Sequence, residues 1–415
     1  MSWLVHRDEM TVEQLRAIEI SPEEHRVIFG APGSGKTQIL LHRAKYIADM
    51  WNVPAKKYHI FVFTNVLKLY IQSALNLLDL DSDSISTFDS WCMNYYRNNV
   101  NKYTPWNKEE KCTDFSLIRA GVLNYIKKND ISPFYDFIMV DEGQDLTVDA
   151  FEILKSISKH ITVCMDHKQK IYQGGADELS ILSKLGLRKR NMSLLEAFRC
   201  CPYLVYLAAQ FIDNPEERSM FIGQARTAQT ERETPILYYA KDFEDERKKL
   251  IDIVKIRINK GERVAILLPQ KRQVYGFTQT LKEAGLEVEN QIDSQKNDKQ
   301  VFSLDFNSLR PKVLTFHSAK GLTVDTVMMP RLVTTSFHKG DPSSINRLLF
   351  IGISRATKWV FMSTNEKGAL SAFDNLISLA NEKFLTIQKN TTDENLVPEV
   401  AKNDFEDEDD LTDLL

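Results

Sequence analysis

Cysteine is scarce and scattered. Cys92, Cys112, Cys164, Cys200 and Cys201 contain no C-x-x-C pair, and their number is odd. That excludes the usual spacing of a structural zinc site or a disulfide framework, and buried free thiols are the expectation. No apolar run approaches the ~20 residues of a membrane span. The opening Met1-Ser2-Trp3-Leu4-Val5-His6-Arg7-Asp8 has no apolar signal-peptide core. No membrane partner is expected, and the cytoplasm is the default compartment. Positive charge is short as well, with a formal net charge of −4 over 415 residues. The deficit is local: residues 404–415 hold seven acids and no base, so the rest of this −4 chain carries +3. A mildly basic body with an acidic tail is compatible with a basic groove for nucleic acid. The remainder is ordinary, 43% hydrophobic and 27% charged, enough chain for two or three globular domains.

One stretch organises what is there. Gly30-Ala31-Pro32-Gly33-Ser34-Gly35-Lys36-Thr37 fits G-x-x-x-x-G-K-[ST], the phosphate-binding P-loop. Arg26-Val27-Ile28-Phe29 before it reads as a buried strand, and Gln38-Ile39-Leu40-Leu41 after it opens a helical pattern through Ala44 and Ile47. Glycines let backbone approach phosphate and present a row of N–H donors. The helix N-terminus adds partial positive charge. On this reading Lys36 holds the β- and γ-phosphates and Thr37 holds a Mg²⁺ ion, so a nucleoside triphosphate such as ATP is the expected ligand.

Thr11–Ile18 reads as a short helix ahead of that strand, and the Gln14 amide could meet an adenine edge as donor and acceptor together. His59–Phe63 is a second buried strand, ending in Thr64-Asn65 with a helix over 66–78. Ser84–Trp91 is expected as a third strand. Residues 93–135 read as a small insertion with a helix at 115–127. Phe137-Ile138-Met139-Val140-Asp141-Glu142 is a buried strand ending in two carboxylates, with Asp141 placed to hold Mg²⁺ and Glu142 to act as general base. Ile161–Asp166 is the next strand, leading to Gln169, a candidate γ-phosphate sensor.

A second alternation begins near Asn191. Thr234–Tyr239, Val264–Leu268 and Lys312–Phe316 read as strands, with helices at 243–259 and up to Gly285, which implies a second parallel α/β domain. Residues 291–310 read as a loop. The expected division is a first domain over 1–190, a second over 191–390 and an acidic, disordered tail over 391–415.

Taken in order, these pieces resemble the UvrD/Rep/PcrA branch of the superfamily-one helicases. The resemblance runs over about residues 10 to 365. It rests on Gln14, the GAPGSGKT loop, Phe63-Thr64-Asn65, Thr87-Phe88-Asp89-Ser90 and Asp141-Glu142-Gly143-Gln144-Asp145. It continues through Asp166, Gln169 and Ile171-Tyr172 to Phe198-Arg199, then Thr315-Phe316-His317-Ser318-Ala319-Lys320-Gly321-Leu322, and closes on Ile351-Gly352-Ile353-Ser354-Arg355-Ala356. It implies two RecA-like P-loop NTPase domains with parallel sheets and ATP in the cleft between them. Arg199 and Arg355 would reach the γ-phosphate from the second domain, where guanidinium groups stabilise charge on the transferring phosphoryl oxygens. Phe198 would stack on the base. Thr64, Asn65, Thr87, Ser90, Tyr172, Thr315, His317 and Ser318 would line a groove for single-stranded nucleic acid, by the resemblance DNA.

Three departures stand out. Gln38 occupies the place where the family usually has an Arg that helps hold the base. Thr323 stands where a ribose-binding Glu is common. Gln173-Gly174-Gly175-Ala176 follows Ile171-Tyr172 where the family presents a base-stacking aromatic. The second-domain insertion of the family is also missing, since 291–310 leaves no room for it. The activity implied is an ATP-dependent single-strand translocase or 3′-to-5′ helicase of minimal build. A regulatory NTPase that senses nucleotide or DNA and gates a partner, docked through the acidic tail, is the alternative.

Overall fold

A computed structural model describes residues 3–31, 33–109, 111–166, 177–188, 192–194, 197–227, 233–291, 304–337 and 342–390. Pro32, Gln169, Tyr172 and the acidic tail lie outside the described residues, as do the side chains of Phe198 and Arg199.

The N-terminal half alternates helix and strand. Its elements are α1 (Val12–Glu19), β1 (Arg26–Gly30), α2 (Lys36–Met50), β2 (Tyr58–Val62), α3 (Asn65–Leu75), β3 (Ile85–Thr87) and α4 (Phe88–Asn99). A short hairpin of β4 (Trp106–Asn107) and β5 (Cys112–Thr113) leads to α5 (Phe115–Lys128). Then come β6 (Tyr135–Val140), α6 (Val148–Ile157), β7 (Ser158–Met165), α7 (Glu178–Leu185) and β8 (Met192–Leu194). Six of these strands form one sheet, ordered β3-β2-β6-β7-β1-β8. Every pairing in it is parallel. β8 pairs with β1, so this sheet extends past residue 190 to Leu194.

The C-terminal half begins with β9 (Ala197–Cys200), α8 (Pro202–Ala209), α9 (Pro215–Gln224) and β10 (Ala225–Thr227). It continues through β11 (Ile236–Ala240), α10 (Phe243–Asn259), β12 (Val264–Leu268), α11 (Lys271–Glu283), β13 (Glu289–Asn290) and β14 (Lys312–Thr315). It ends with β15 (Val324–Met329), α12 (Pro342–Ile353), β16 (Ala356–Asn365), α13 (Leu376–Asn381) and β17 (Thr386–Lys389). The second sheet has seven strands, β13-β14-β12-β15-β16-β11-β17, again all parallel. The expected loop at 291–310 is described at 291 and over 304–310, where it forms only turns and bends.

Parallel strands are buried on both faces, which is why β2, β6, β12 and β14 read as near-continuous apolar runs. α6 and α7 cover one face of the first sheet with α4 and α5, through Phe88, Cys92, Ile118, Val122, Phe151 and Leu154. α10 and α11 cover the outer face of the second. A third apolar cluster is continuous from α2 and α3 to the inner face of the second sheet, joining Leu40, Leu67 and Ile71 to Leu267, Leu314 and Phe316. No helix among the described residues is long and apolar enough to cross a membrane.

The third strand is shorter than its sequence suggests. β3 stops at Thr87, whose hydroxyl accepts from Ser90 N at 3.2 Å and starts α4. Phe88, Trp91, Cys92, Tyr95 and Tyr96 recur at helical spacing and face the core. That stripe overrides the β-rich lead-in of Ile85-Ser86-Thr87.

Candidate functional site

β1 ends at Gly30, and the chain turns through Ala31, Gly33 and Ser34 into α2, whose first residue is Lys36. Gly35 sits at φ 84°, a left-handed conformation, and a Cβ there would meet Gln14 Nε2 at 2.5 Å. Gln14 is held in that place by a capping box. Its Oε1 accepts from Thr11 N at 3.0 Å, and its own N–H donates to the Thr11 hydroxyl at 3.3 Å. Its Nε2 then donates to the Ser34 carbonyl at 3.0 Å, so both functions of the amide are engaged within the chain. Lys36 Nζ donates to the carbonyls of Gly30 (2.8 Å) and Ala31 (3.0 Å), which keeps the ammonium at the mouth of the loop. The Ser34 hydroxyl is buried there with no hydrogen-bond partner among the described residues.

The loop is joined to the end of β6 by Thr37, whose hydroxyl donates to Asp141 Oδ2 at 2.8 Å. Asp141 N continues the ladder to the Phe61 carbonyl at 2.9 Å, which fixes the carboxylate at the strand end. Each residue of Asp141-Glu142-Gly143-Gln144-Asp145 then has a structural task. Glu142 takes a left-handed backbone at φ 52°, a strained conformation for a non-glycine residue. Gly143 lies against β7, where a Cβ would meet Val163 Cγ1 at 2.3 Å. Gln144 bridges, donating to Glu142 Oε2 at 2.6 Å and accepting from Asp166 N at 3.0 Å. Asp145 turns toward the second sheet.

From that sheet come two buried cations. Lys320, in the turn after β14, places Nζ 2.5 Å from Asp145 Oδ2 and 3.4 Å from Glu142 Oε2. Arg355, between α12 and β16, donates to the carbonyls of Ile351 (3.2 Å) and Leu322 (3.5 Å) and to the Ser354 hydroxyl (2.9 Å).

These charges drive the two carboxyls apart. Burial, with the neighbouring Glu142 carboxylate, pushes Asp141 up to about 6, against the opposing pull of the Thr37 hydroxyl and Lys36. Burial acts on Glu142 in the same direction, but Lys320, Lys36, Arg355 and the Gln144 amide outweigh it and hold that carboxyl below its ordinary value. Burial works against the charge of Lys320 too, and Glu142 and Asp145 overcome it, raising that ammonium. Burial lowers Arg355, with Glu142, Asp166 and Asp141 opposing. Glu142 is thus kept ionised beside a ring of cations, as a proton acceptor requires.

A cleft opens between the loop and the second sheet, in two adjoining lobes. The smaller, about 60 Å³, is lined by Lys36, Thr37, Glu142, Gly321 and Arg355. The larger, about 260 Å³, is lined by Val5, Met10, Gln14, Arg263 and Thr357, and Trp3, Gly33, Gly35, Gln38, Tyr70, Thr323 and Arg355 border both. Lys36, Gly33 and Gly35 line the small polar lobe, the residue types a phosphate chain would need there. Thr37 and Asp141 are oxygen donors of the type Mg²⁺ takes.

Among the residues singled out in the sequence, Gly30, Ala31, Gly33, Ser34, Gly35, Lys36, Thr37, Asp141, Glu142 and Arg355 converge on this corner. Gln38 faces the N-terminal segment instead, donating to the Trp3 carbonyl at 3.0 Å and accepting from Val5 N at 3.1 Å. Thr64, Thr87 and Thr315 lie at the C-terminal ends of β2, β3 and β14. Thr64 caps α3 through Leu67 N at 3.0 Å. Thr87 pairs with Ser90 Oγ at 2.7 Å, and Thr315 with Ser318 Oγ at 3.0 Å. Asn65 is exposed and His317 half-buried, its imidazole pushed down by burial. None of this second group borders the cleft. Four contributors went unassigned in the sequence reading: Lys320, Gln144, Trp3 and Tyr70. Lys320 and Gln144 sit inside quoted motifs and could have been found there. Trp3 and Tyr70 stack at 3.9 Å between ring centroids across 67 positions, with no local signal.

Two parallel RecA-like sheets, with a glycine-rich phosphate loop after the first strand, define an α/β protein of the P-loop NTPase class. Residues 10–132 match the model of the UvrD/REP helicase N-terminal domain. A probable DNA helicase of Mycoplasma pneumoniae is 21% identical over 472 residues, covering 88% of this chain and 85% of that protein. The crystal structure of the C-terminal domain of a possible DNA helicase from Lactobacillus plantarum aligns at 17% identity and a TM-score of 0.33, over 47% of this chain and 99% of that one. Within its class, the chain is similar over residues 10–132 to the UvrD/REP helicase N-terminal domain.

Proposed function

We propose that the chain is an ATP-dependent translocase on single-stranded DNA, of the 3′-to-5′ helicase type, built from two RecA-like domains that meet after Leu194. The observation that supports this best is the meeting of Lys320 and Arg355 from the second sheet with Glu142, beside Lys36 of the first. A site whose charges come from two sheets is completed when they close and loosened when they part, which couples hydrolysis to relative motion.

Lys36 neutralises the β- and γ-phosphate oxygens. Glu142 Oε2 is occupied by Gln144 and Lys320, so Oε1 takes the proton of the attacking water. Arg355 stabilises the charge that develops on the transferring phosphoryl group. Thr37 and Asp141 would hold Mg²⁺, which supplies further neutralisation of phosphate charge when bound. Thr64, Asn65, Thr87, Ser90, Thr315, His317 and Ser318, at the ends of their strands, provide hydroxyl, amide and imidazole groups for strand phosphates. The deciding measurement is ATP turnover with and without single-stranded DNA, together with unwinding of duplexes tailed at the 3′ or 5′ end. Stimulation by the strand and preference for the 3′ tail are expected. Equal turnover in both conditions would defeat the proposal.

A further inference from the structure

Tyr70 belongs to the first half of the chain and touches the second. It lies on α3, 3% exposed, and two rings fix its own: Trp3 stacks on it at 3.9 Å between centroids, and Phe306 meets it at 5.2 Å and 82°. Burial raises its hydroxyl above the ordinary value, with Arg263, Thr323 and Arg355 opposing, so the group keeps its proton and can donate. It donates to the Thr323 carbonyl at 3.4 Å. One turn back on α3, Leu67 seats the same stretch: Gly321 lies at φ 81°, and a Cβ there would come 2.9 Å from both Leu67 Cδ atoms. The residues on either side of Thr323 hold Arg355. The Leu322 carbonyl accepts from Nη1 at 3.5 Å, and Val324 N donates to the Arg355 carbonyl at 3.0 Å. The guanidinium is pinned at all three nitrogens, but the other two partners, the Ile351 carbonyl and Ser354 Oγ, belong to the arginine's own turn. Leu322 is the outside point that fixes which way the cation faces, and Tyr70 holds the next residue along. A contact made between the two halves thus reaches the cation that lines the small lobe with Lys36 and Glu142.

We propose that Tyr70 is a positioning residue for Arg355: by fixing Thr323 from α3, it sets the guanidinium toward the transferring phosphoryl group when the two sheets are together. This rests on the reading of the cleft as an ATP site with Arg355 as its transition-state cation. Misplacing such a group by about 1 Å can cost as much as about 10²-fold in rate. A contact that matters only in the transition state lowers kcat and leaves ground-state binding in place.

The test is ATP binding and single-turnover hydrolysis with Mg²⁺, on the full chain as parent, Tyr70→Phe, Arg355→Ala and the double variant. Tyr70→Phe keeps the ring contacts and removes only the donor. Its ATP affinity should stay within about threefold of the parent, which separates positioning from loss of the fold, while its hydrolysis rate falls about three- to tenfold, the scale of one neutral hydrogen bond. In the Arg355→Ala background the same change should cost less than about twofold more, because a residue that acts through another has nothing left to position. A purely structural role would give equal losses in both backgrounds, and that result would overturn the inference. So would the parent rate in Tyr70→Phe. ATP affinity weakened beyond about threefold would make the hydroxyl a ligand contact and overturn it as well. Absence of ATP hydrolysis by the parent would overturn the nucleotide reading itself, and the inference with it.

Discussion

Lys320 Nζ lies 2.5 Å from Asp145 Oδ2, 175 residues away in sequence, and the two side chains are 1% and 0% exposed. The pair joins the turn after β14 of the second sheet to the turn after β6 of the first, in the motif that also carries Glu142. Two buried charges taken from water repay their desolvation only when they remain paired. Position, as much as stability, is what this pair supplies: it ties the carboxylate end of one sheet to the other.

Lys320→Met should therefore be costly, because it takes a buried cation from both Asp145 and Glu142. Loss of one partner of a buried pair typically costs about 3–5 kcal/mol. Adding Asp145→Leu should return part of that loss, since one of the two carboxylates that Lys320 faces goes with it. Urea unfolding of the parent, both single variants and the double variant measures the coupling. If Lys320→Met unfolds at the parent's midpoint, the pair is not formed in solution.

Lys36→Ala and Glu142→Gln should separate binding from chemistry. Lys36→Ala removes the loop's only side-chain ammonium and should abolish both tight nucleotide binding and turnover. Glu142→Gln keeps the size and the Gln144 contact but cannot accept a proton, so binding should persist while kcat falls by about 10²-fold or more. Arg355→Ala should lower kcat by a similar factor, again about 10²-fold, through loss of transition-state charge stabilisation. Parent turnover in Glu142→Gln would remove it as the base.

The parts of this architecture legible in sequence are those with a strong local signal. Buried parallel strands such as Phe137–Val140 and Val264–Leu268 are continuous apolar runs, and the glycine loop follows another, Arg26–Gly30, at once. Convergence is a different matter. Nothing near Lys320 says that it will meet Asp145, because the meeting depends on how two sheets pack. Arg43 is a second example. A charge in the middle of α2 reads as solvated surface, yet its side chain is fully buried. It donates to the carbonyls of Ile18 (2.9 Å) and Ile20 (2.6 Å) at the end of α1 and to Thr162 Oγ1 (2.9 Å). Those are carbonyls a helix end leaves without partners. The pattern shows a cation; only the fold shows what it satisfies.

Gly143→Ala tests the contact between the carboxylate turn and β7. A Cβ at this position would lie 2.3 Å from Val163 Cγ1, which has no room to retreat inside the first core. Forcing one extra carbon into such packing costs about 1–3 kcal/mol. The shift also moves Glu142 and Gln144, so turnover should fall further than stability alone explains. Thermal melts and single-turnover hydrolysis on the same preparation separate the two effects. An unchanged melting temperature would mean that the turn stands off β7.

Acid should weaken the first sheet through two buried histidines. Burial, with the Arg43 guanidinium beside it, pushes His160 down to about 3, and burial with Lys68 pushes His59 down to about 4, from an ordinary 6.5. Besides Arg43, His160 faces His25 and Arg26, all of the same sign when charged, and it hydrogen-bonds Thr162 Oγ1 at 2.9 Å. His59 bonds Ser86 Oγ at 2.8 Å. In both, the folded chain holds the proton less tightly than the unfolded chain does. Their contribution to stability is therefore fully present above about pH 6.5 and is lost as pH falls toward about 4 and about 3, by up to about 1.4 kcal/mol per pH unit for each histidine. Glutamine at both positions keeps a hydrogen-bonding side chain but cannot take up the proton. Urea midpoints at pH 7.5, 6.0 and 5.0 should fall steeply for the parent and more gently for the His59→Gln/His160→Gln variant, even if the variant starts lower. Parallel pH slopes would show that these two imidazoles titrate normally in the folded chain and do not set its acid limit.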